Sequence, residues 1–193
     1  MKKFWLLAVV LLASMEIKAQ CNITTTTLPG GIVGRPYIGQ ITGSCGNKGQ
    51  FNRLAGYPPL GLNISGTYGT ISGTPALAGK YYFQMQLKGT GGTAVQDFWL
   101  TVVNPLVATG GPIVIPCGQN LNIQLPATGG WPPYSWTMTS GVLPPGLQFL
   151  SPSGTLVGNV DCSLKGQMYS IAVTVTDSGY LPMVATLILD FKM

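Results

Sequence analysis

The chain has 193 residues, among them 27 glycines, 15 prolines and no histidine, with 8% charged against 46% hydrophobic residues. Without histidine there is no Ser-His or Cys-His relay and no imidazole ligand for zinc. The formal net charge of +5 is scattered and never clustered among aromatics, which argues against nucleic-acid binding.

The N-terminus carries Lys2-Lys3, an apolar run from Phe4 to Ala13, then polar residues up to Ala19. This pattern predicts a secretory signal peptide over residues 1–19, cleaved after Ala19. The run is too short for a membrane-spanning helix, which needs about 20 apolar residues. Later apolar runs are all interrupted by Gly, Pro or polar residues, so no transmembrane segment is expected. Cleavage removes Lys2, Lys3, Lys18 and Glu16 and leaves seven Lys/Arg against four Asp, a net +3. The expected product is secreted or held in the cell envelope.

All four cysteines, Cys21, Cys45, Cys117 and Cys162, follow the cleavage point, as suits an oxidising compartment. Four cysteines allow three pairings. Each half of the chain holds two, and pairing within halves gives Cys21–Cys45 and Cys117–Cys162. No Cys-x-x-Cys spacing points to redox chemistry. The alternative for Cys21 is a lipid anchor, since bacterial lipoproteins are acylated at a cysteine directly after the signal peptide. The preceding Lys18-Ala19-Gln20 fits that signal poorly, and acylation would leave Cys45 without its partner.

Abundant Thr, Val and Ile between glycine- and proline-rich turns describe short strands, and no helix-period segment appears beyond the signal peptide. In the first half, the turns Tyr57-Pro58-Pro59-Leu60-Gly61-Leu62 and Gly69-Thr70-Ile71-Ser72-Gly73-Thr74-Pro75 precede a strand with Tyr81, Phe83, Met85 and Leu87 inward. A turn through Gly89-Thr90-Gly91-Gly92 leads to a strand with Phe98, Leu100 and Val102 inward. Pro105 ends ladder pairing and marks a boundary. The order then repeats: Gly129-Gly130-Trp131-Pro132-Pro133-Tyr134-Ser135-Trp136, then Leu143-Pro144-Pro145-Gly146-Leu147, then Gly154-Thr155-Leu156-Val157-Gly158. A strand follows with Tyr169, Ile171, Val173 and Val175 inward, a turn at Asp177-Ser178-Gly179, and a last strand with Ala185, Leu187, Leu189 and Phe191 inward. The parallel indicates an internal duplication.

These motifs resemble the immunoglobulin-like repeat of bacterial surface and secreted proteins, related to the cadherin-like domain of dystroglycan. That repeat has Gly-Gly before a Pro-Tyr-x-Trp strand, a Leu-Pro-x-Gly-Leu turn, a Gly-x-Ile-x-Gly-x-Pro turn and a Tyr-x-Phe strand ending in Thr-Asp. The second half matches nearly throughout, with Val160 at the last proline. The first half is degenerate, with Gln50-Phe51-Asn52 for the Tyr-x-Trp strand and Gly89 where the second half has Asp177. The resemblance implies an all-β protein of two tandem immunoglobulin-like β-sandwiches, at residues 22–104 and 105–193. Both are short for that fold, so about seven strands apiece is the expected ceiling.

The resemblance also implies a spacer or adhesive role. The expected function is a non-catalytic adhesion, protein-interaction or structural module meeting a protein or glycan partner at the cell surface. Two tryptophans are the candidate contact residues. Trp99 points outward if Phe98, Leu100 and Val102 point inward, and Ile188 is taken as its match in the second half. Two such apolar residues serve domain packing or a partner surface. Trp131 precedes the Tyr134 and Trp136 strand and is the candidate for exposure; the alternative function is carbohydrate binding on aromatics around it. No metal or other cofactor is expected. Calcium needs six to eight oxygen ligands, against Asp97, Asp161, Asp177 and Asp190 scattered singly. Leu125-Pro126-Ala127-Thr128-Gly129 matches a cell-wall sorting signal but lies far from the C-terminus that such a signal requires.

Overall fold

The computed structural model describes residues 20–46, 49–151 and 153–192, so the signal-peptide expectation for residues 1–19 lies outside the described residues. The first half contains β1 (Asn22–Ile23), β2 (Gly31–Ile32), β3 (Tyr37–Gln40), β4 (Gly43–Ser44), β5 (Gln50–Gly56), β6 (Leu62–Ile64), β7 (Thr70–Gly73), β8 (Gly79–Gly89) and β9 (Gly92–Val103). The second contains β10 (Val107–Ala108), β11 (Gly111–Val114), β12 (Asn120–Gln124), β13 (Ala127–Thr128), β14 (Ser135–Gly141), β15 (Leu147–Leu150), β16 (Thr155–Asn159), β17 (Met168–Thr176) and β18 (Val184–Lys192), with one 3-10 turn at Cys162–Leu164. The count is nine per half, above the seven expected. The surplus comes from two-residue pieces such as β1, β4, β10 and β13, too short to show a period in sequence.

Both halves fold with one topology. A four-stranded sheet, β2-β9-β8-β5 in one half and β11-β18-β17-β14 in the other, faces a three-stranded sheet, β3-β7-β6 or β12-β16-β15. A two-stranded piece, β1-β4 or β10-β13, completes each set. The fold is an all-β, immunoglobulin-like sandwich occurring twice.

Period-two alternation builds the cores. Phe83, Met85, Leu87, Phe98, Leu100 and Val102 are buried in the first half, and Ile171, Val173, Val175, Leu187, Leu189 and Phe191 in the second. Smaller features repeat as well. The Thr70 hydroxyl donates to Gln40 Oε1 at 2.9 Å, and the Thr155 hydroxyl donates to Gln124 Oε1 at 2.9 Å. Gly61 and Gly146 both have φ of 92°, each with a would-be Cβ meeting a backbone carbonyl.

Two of the three departures of the sequence from the repeat have a direct physical explanation. Phe51 pairs with Leu87 as Trp136 pairs with Val175, both rings are buried, and each edge strand carries a bulge two residues later. Phenylalanine therefore fills the place of tryptophan. At the other departure, Gly34 N–H donates to the Pro75 carbonyl at 2.9 Å and Gly118 N–H to the Val160 carbonyl at 2.8 Å. The position supplies a backbone acceptor that valine provides equally well.

The disulfides join Cys21 to Cys45 and Cys117 to Cys162, at different places in the two sandwiches. The first flanks the β1–β4 pair and is buried; the second ties the β11–β12 connection to the 3-10 turn, with Cys162 exposed. Cys21 pairs with Cys45 in this structure, as the within-half pairing expected. Register identifies Asp177 as the counterpart of Gly89. A Cβ at Gly89 would meet Cys45, and a Cβ at Gly130 would meet the Asp177 carboxylate.

Candidate functional site

The outer face of the β8–β9 hairpin carries Trp99. Antiparallel register places Lys80 opposite Thr101, Tyr82 opposite Trp99 and Gln84 opposite Asp97. Trp99 is 55% exposed. It lies 5.1 Å from the Tyr82 ring at an interplanar angle of 49°, with Lys80 Nζ 4.8 Å from its centroid. The Tyr82 hydroxyl donates to Asp97 Oδ1 at 3.0 Å, and Gln84 Nε2 donates to the same oxygen at 2.9 Å. Accepting that bond, Asp97 holds the Tyr82 phenol above its ordinary pKa, with partial desolvation and the carboxylate charge acting the same way. The array is ordered by its own contacts.

Ile188 is not the counterpart of Trp99. Gly56 faces Phe83, which faces Phe98; Gly141 faces Ile171, which faces Leu189. Trp99 therefore corresponds to Asp190, and Tyr82 to Ser170. The two hairpins fall out of step in sequence because their loops differ, Thr90-Gly91 in the first against residues 177–183 in the second. The aromatic pair is thus replaced by Ser170 and Asp190 in the other copy of the same fold.

Trp131 stands in a different setting. Gly129 and Gly130, with φ of 72° and 62°, turn the chain sharply before it. Asp177, 5% exposed, accepts hydrogen bonds from the backbone N–H groups of Trp131 at 2.9 Å, Met183 at 2.7 Å and Gly179 at 3.3 Å. Ser178 N–H and hydroxyl both donate to the Trp131 carbonyl. The indole packs partly on the second core. Gly179 approaches its pyrrole ring, and Gly30 of the first half approaches its benzo ring so closely that a Cβ there would overlap it. Trp131 is half-buried at the junction, which removes the open platform expected for sugar stacking. Trp99, expected in domain packing or at a partner surface, is the open one.

Beside Trp131 runs a cleft of about 600 Å³ between residues 29–32 and 35–38 of the first half and residues 131–132 and 178–181 of the second. Tyr180 and Leu181 stand at its rim, 89% and 75% exposed. A shallower depression of about 260 Å³ lies along β5, where the Arg53 guanidinium sits 4.1 Å from the Tyr57 ring centroid. Among the described residues no three of His, Cys, Asp and Glu gather as a metal site.

Tyr82, Arg35 and Tyr180 were not singled out in the sequence. Tyr82 carried a usable signal, since it alternates with the inward Tyr81 and Phe83. Arg35 and Tyr180 carried none, because their meeting depends on how the halves contact.

Residues 104–189 match the family described as Putative Ig domain. No curated protein matches the chain. Among solved structures it is similar to extracellular domains 3–5 of Drosophila OTK, at 13% identity over 91% of this chain and 62% of that one, TM-score 0.49. It is also similar to human CDH23 EC21–23, at 14% identity over 90% and 69%, TM-score 0.45. A third is protocadherin gammaB7 EC3–6, at 11% over 90% and 51%, TM-score 0.46. The chain therefore spans about half the length of that protocadherin.

Proposed function

We propose, for a chain whose residues 104–189 belong to the Putative Ig domain family and whose first half repeats their topology, a role as a non-catalytic binding module. In this reading two sandwiches, residues 22–104 and 105–193, are exported to the cell envelope or beyond and contact a protein partner. Two disulfides support an oxidising compartment, and no helix of the described residues is long and apolar enough to cross a membrane.

The observation that carries the reading is the Tyr82–Trp99 pair. An exposed tryptophan costs solubility, and the equivalent Ser170–Asp190 pair serves the same hairpin without it. The aromatic pair is therefore not required by the fold. Exposed tryptophan and tyrosine beside charged groups are the residue types that concentrate binding energy at protein interfaces. The test is retention of the labelled mature protein on intact cells of its host, with Trp99→Ala and Ile188→Ala compared with wild type. Trp99→Ala is expected to reduce retention about tenfold or more, and Ile188→Ala to leave it unchanged.

A further inference from the structure

We propose that the junction cleft is a second docking site, for an extended peptide segment of a partner protein that carries a carboxylate beside apolar side chains. The inference rests on the binding-module reading but not on the Trp99 face.

Charge is the first argument. Arg35 is exposed and, among the described residues, is the one charged residue in the cleft lining, with no carboxylate there to neutralise it. A guanidinium at the rim of an apolar cleft favours a carboxylate ligand, which it can bind through two parallel hydrogen bonds.

Backbone is the second. The first-half wall includes β2 and the start of β3, and each is the edge strand of its sheet. Edge strands leave backbone donors and acceptors unpaired on one side, which an extended peptide pairs by adding a strand. Such pairing favours a peptide over a compact ligand.

The lining's polar inventory is the third, and it argues against a sugar. The Tyr37 hydroxyl already donates to the Pro29 carbonyl at 3.0 Å, and the Ser178 hydroxyl to the Trp131 carbonyl at 2.9 Å. Among the described residues no Asp, Glu, Asn or Gln side chain lines the cleft to receive sugar hydroxyls. Instead the wall offers Trp131, prolines, and the protruding Tyr180, Leu181 and Ile38, all suited to apolar side chains. The Asp177 hydrogen bonds fix both ends of the loop that presents Tyr180 and Leu181, so little ordering is needed on binding.

The probe is a library of short displayed peptides selected on the mature full-length chain. Enriched sequences are then synthesised with a fluorophore and titrated by anisotropy. The expected peptides carry Asp or Glu next to Pro, Leu or an aromatic residue. Their affinity falls about tenfold or more with Arg35→Glu and with Tyr180→Ala, and is unchanged with Trp99→Ala. Replacing the peptide's acid by its amide weakens binding to wild type but not to Arg35→Glu. Arg35 and Tyr180 are exposed, so unchanged melting temperatures verify that both variants fold. The proposal is overturned if no peptide is enriched over the bare support, or if selected peptides bind both variants as well as wild type. Loss of binding with Trp99→Ala alone overturns it by moving the site to the outer face. Glycan retention that Tyr180→Ala abolishes, without any selected peptide, overturns it in favour of a sugar.

Discussion

Gly154 lies against the face of Trp136, where a Cβ would stand 2.5 Å from the indole, as Gly69 lies against Phe51 in the first half with a would-be Cβ at 2.8 Å from the ring. Both glycines also have left-handed backbones, φ of 73° and 67°. Gly154→Ala therefore meets two penalties, a disfavoured φ and overpacking of a buried ring. Together they cost about 2–4 kcal/mol. Calorimetry should show the second sandwich melting lower, each kcal/mol being worth roughly 4–8 °C at this size. An unchanged transition would mean that the ring moves freely, against the close packing described.

Asp177 organises the junction from within. Asp177→Ala leaves the amides of Trp131, Gly179 and Met183 without their acceptor and is expected to cost about 3 kcal/mol. Hydrogen exchange at Trp131 and Met183 should accelerate well beyond that of β17. Equal protection in variant and wild type would show that the loop holds without the carboxylate.

The two disulfides differ in access. Cys21 and Cys45 are buried while Cys162 is exposed, so mild reductant should open Cys117–Cys162 first. Alkylation followed by peptide mass mapping reads the order. Each staple contributes about 2–4 kcal/mol, and loss of the second should lower one melting transition before the other. Early labelling of Cys45 would contradict the burial.

Tyr37 titrates late because burial disfavours its phenolate and pushes its pKa up to about 12, from 10.0. In the unfolded chain the phenol ionises near the ordinary value. Its contribution to stability is complete below pH 10 and is lost as pH rises through the folded value. Alkaline denaturation should accordingly be shallower in Tyr37→Phe than in wild type. Parallel curves would show that Tyr37 is not the group responsible.

The sequence made the cores legible because alternation alone separates the buried Phe83, Leu100 and Val173 from their outward neighbours. Trp99 was placed outward by the same logic. Its supposed match to Ile188 was not recoverable, since it depends on hairpin loops of unequal length that only strand register resolves. Trp131 was misjudged for another reason. What covers it is Gly30, remote in sequence, and a glycine leaves no hydrophobic signature to mark a contact. Asp177 was visible as the end of a repeat motif, but its three backbone donors follow from the shape of the loop it closes.

The most direct test is photo-crosslinking from position 101, beside Trp99 on the outer face, in intact host cells. One discrete protein adduct is expected, which Trp99→Ala abolishes and Ile188→Ala preserves. No adduct, or one of equal yield in Trp99→Ala, would contradict the claim that this face binds a protein partner.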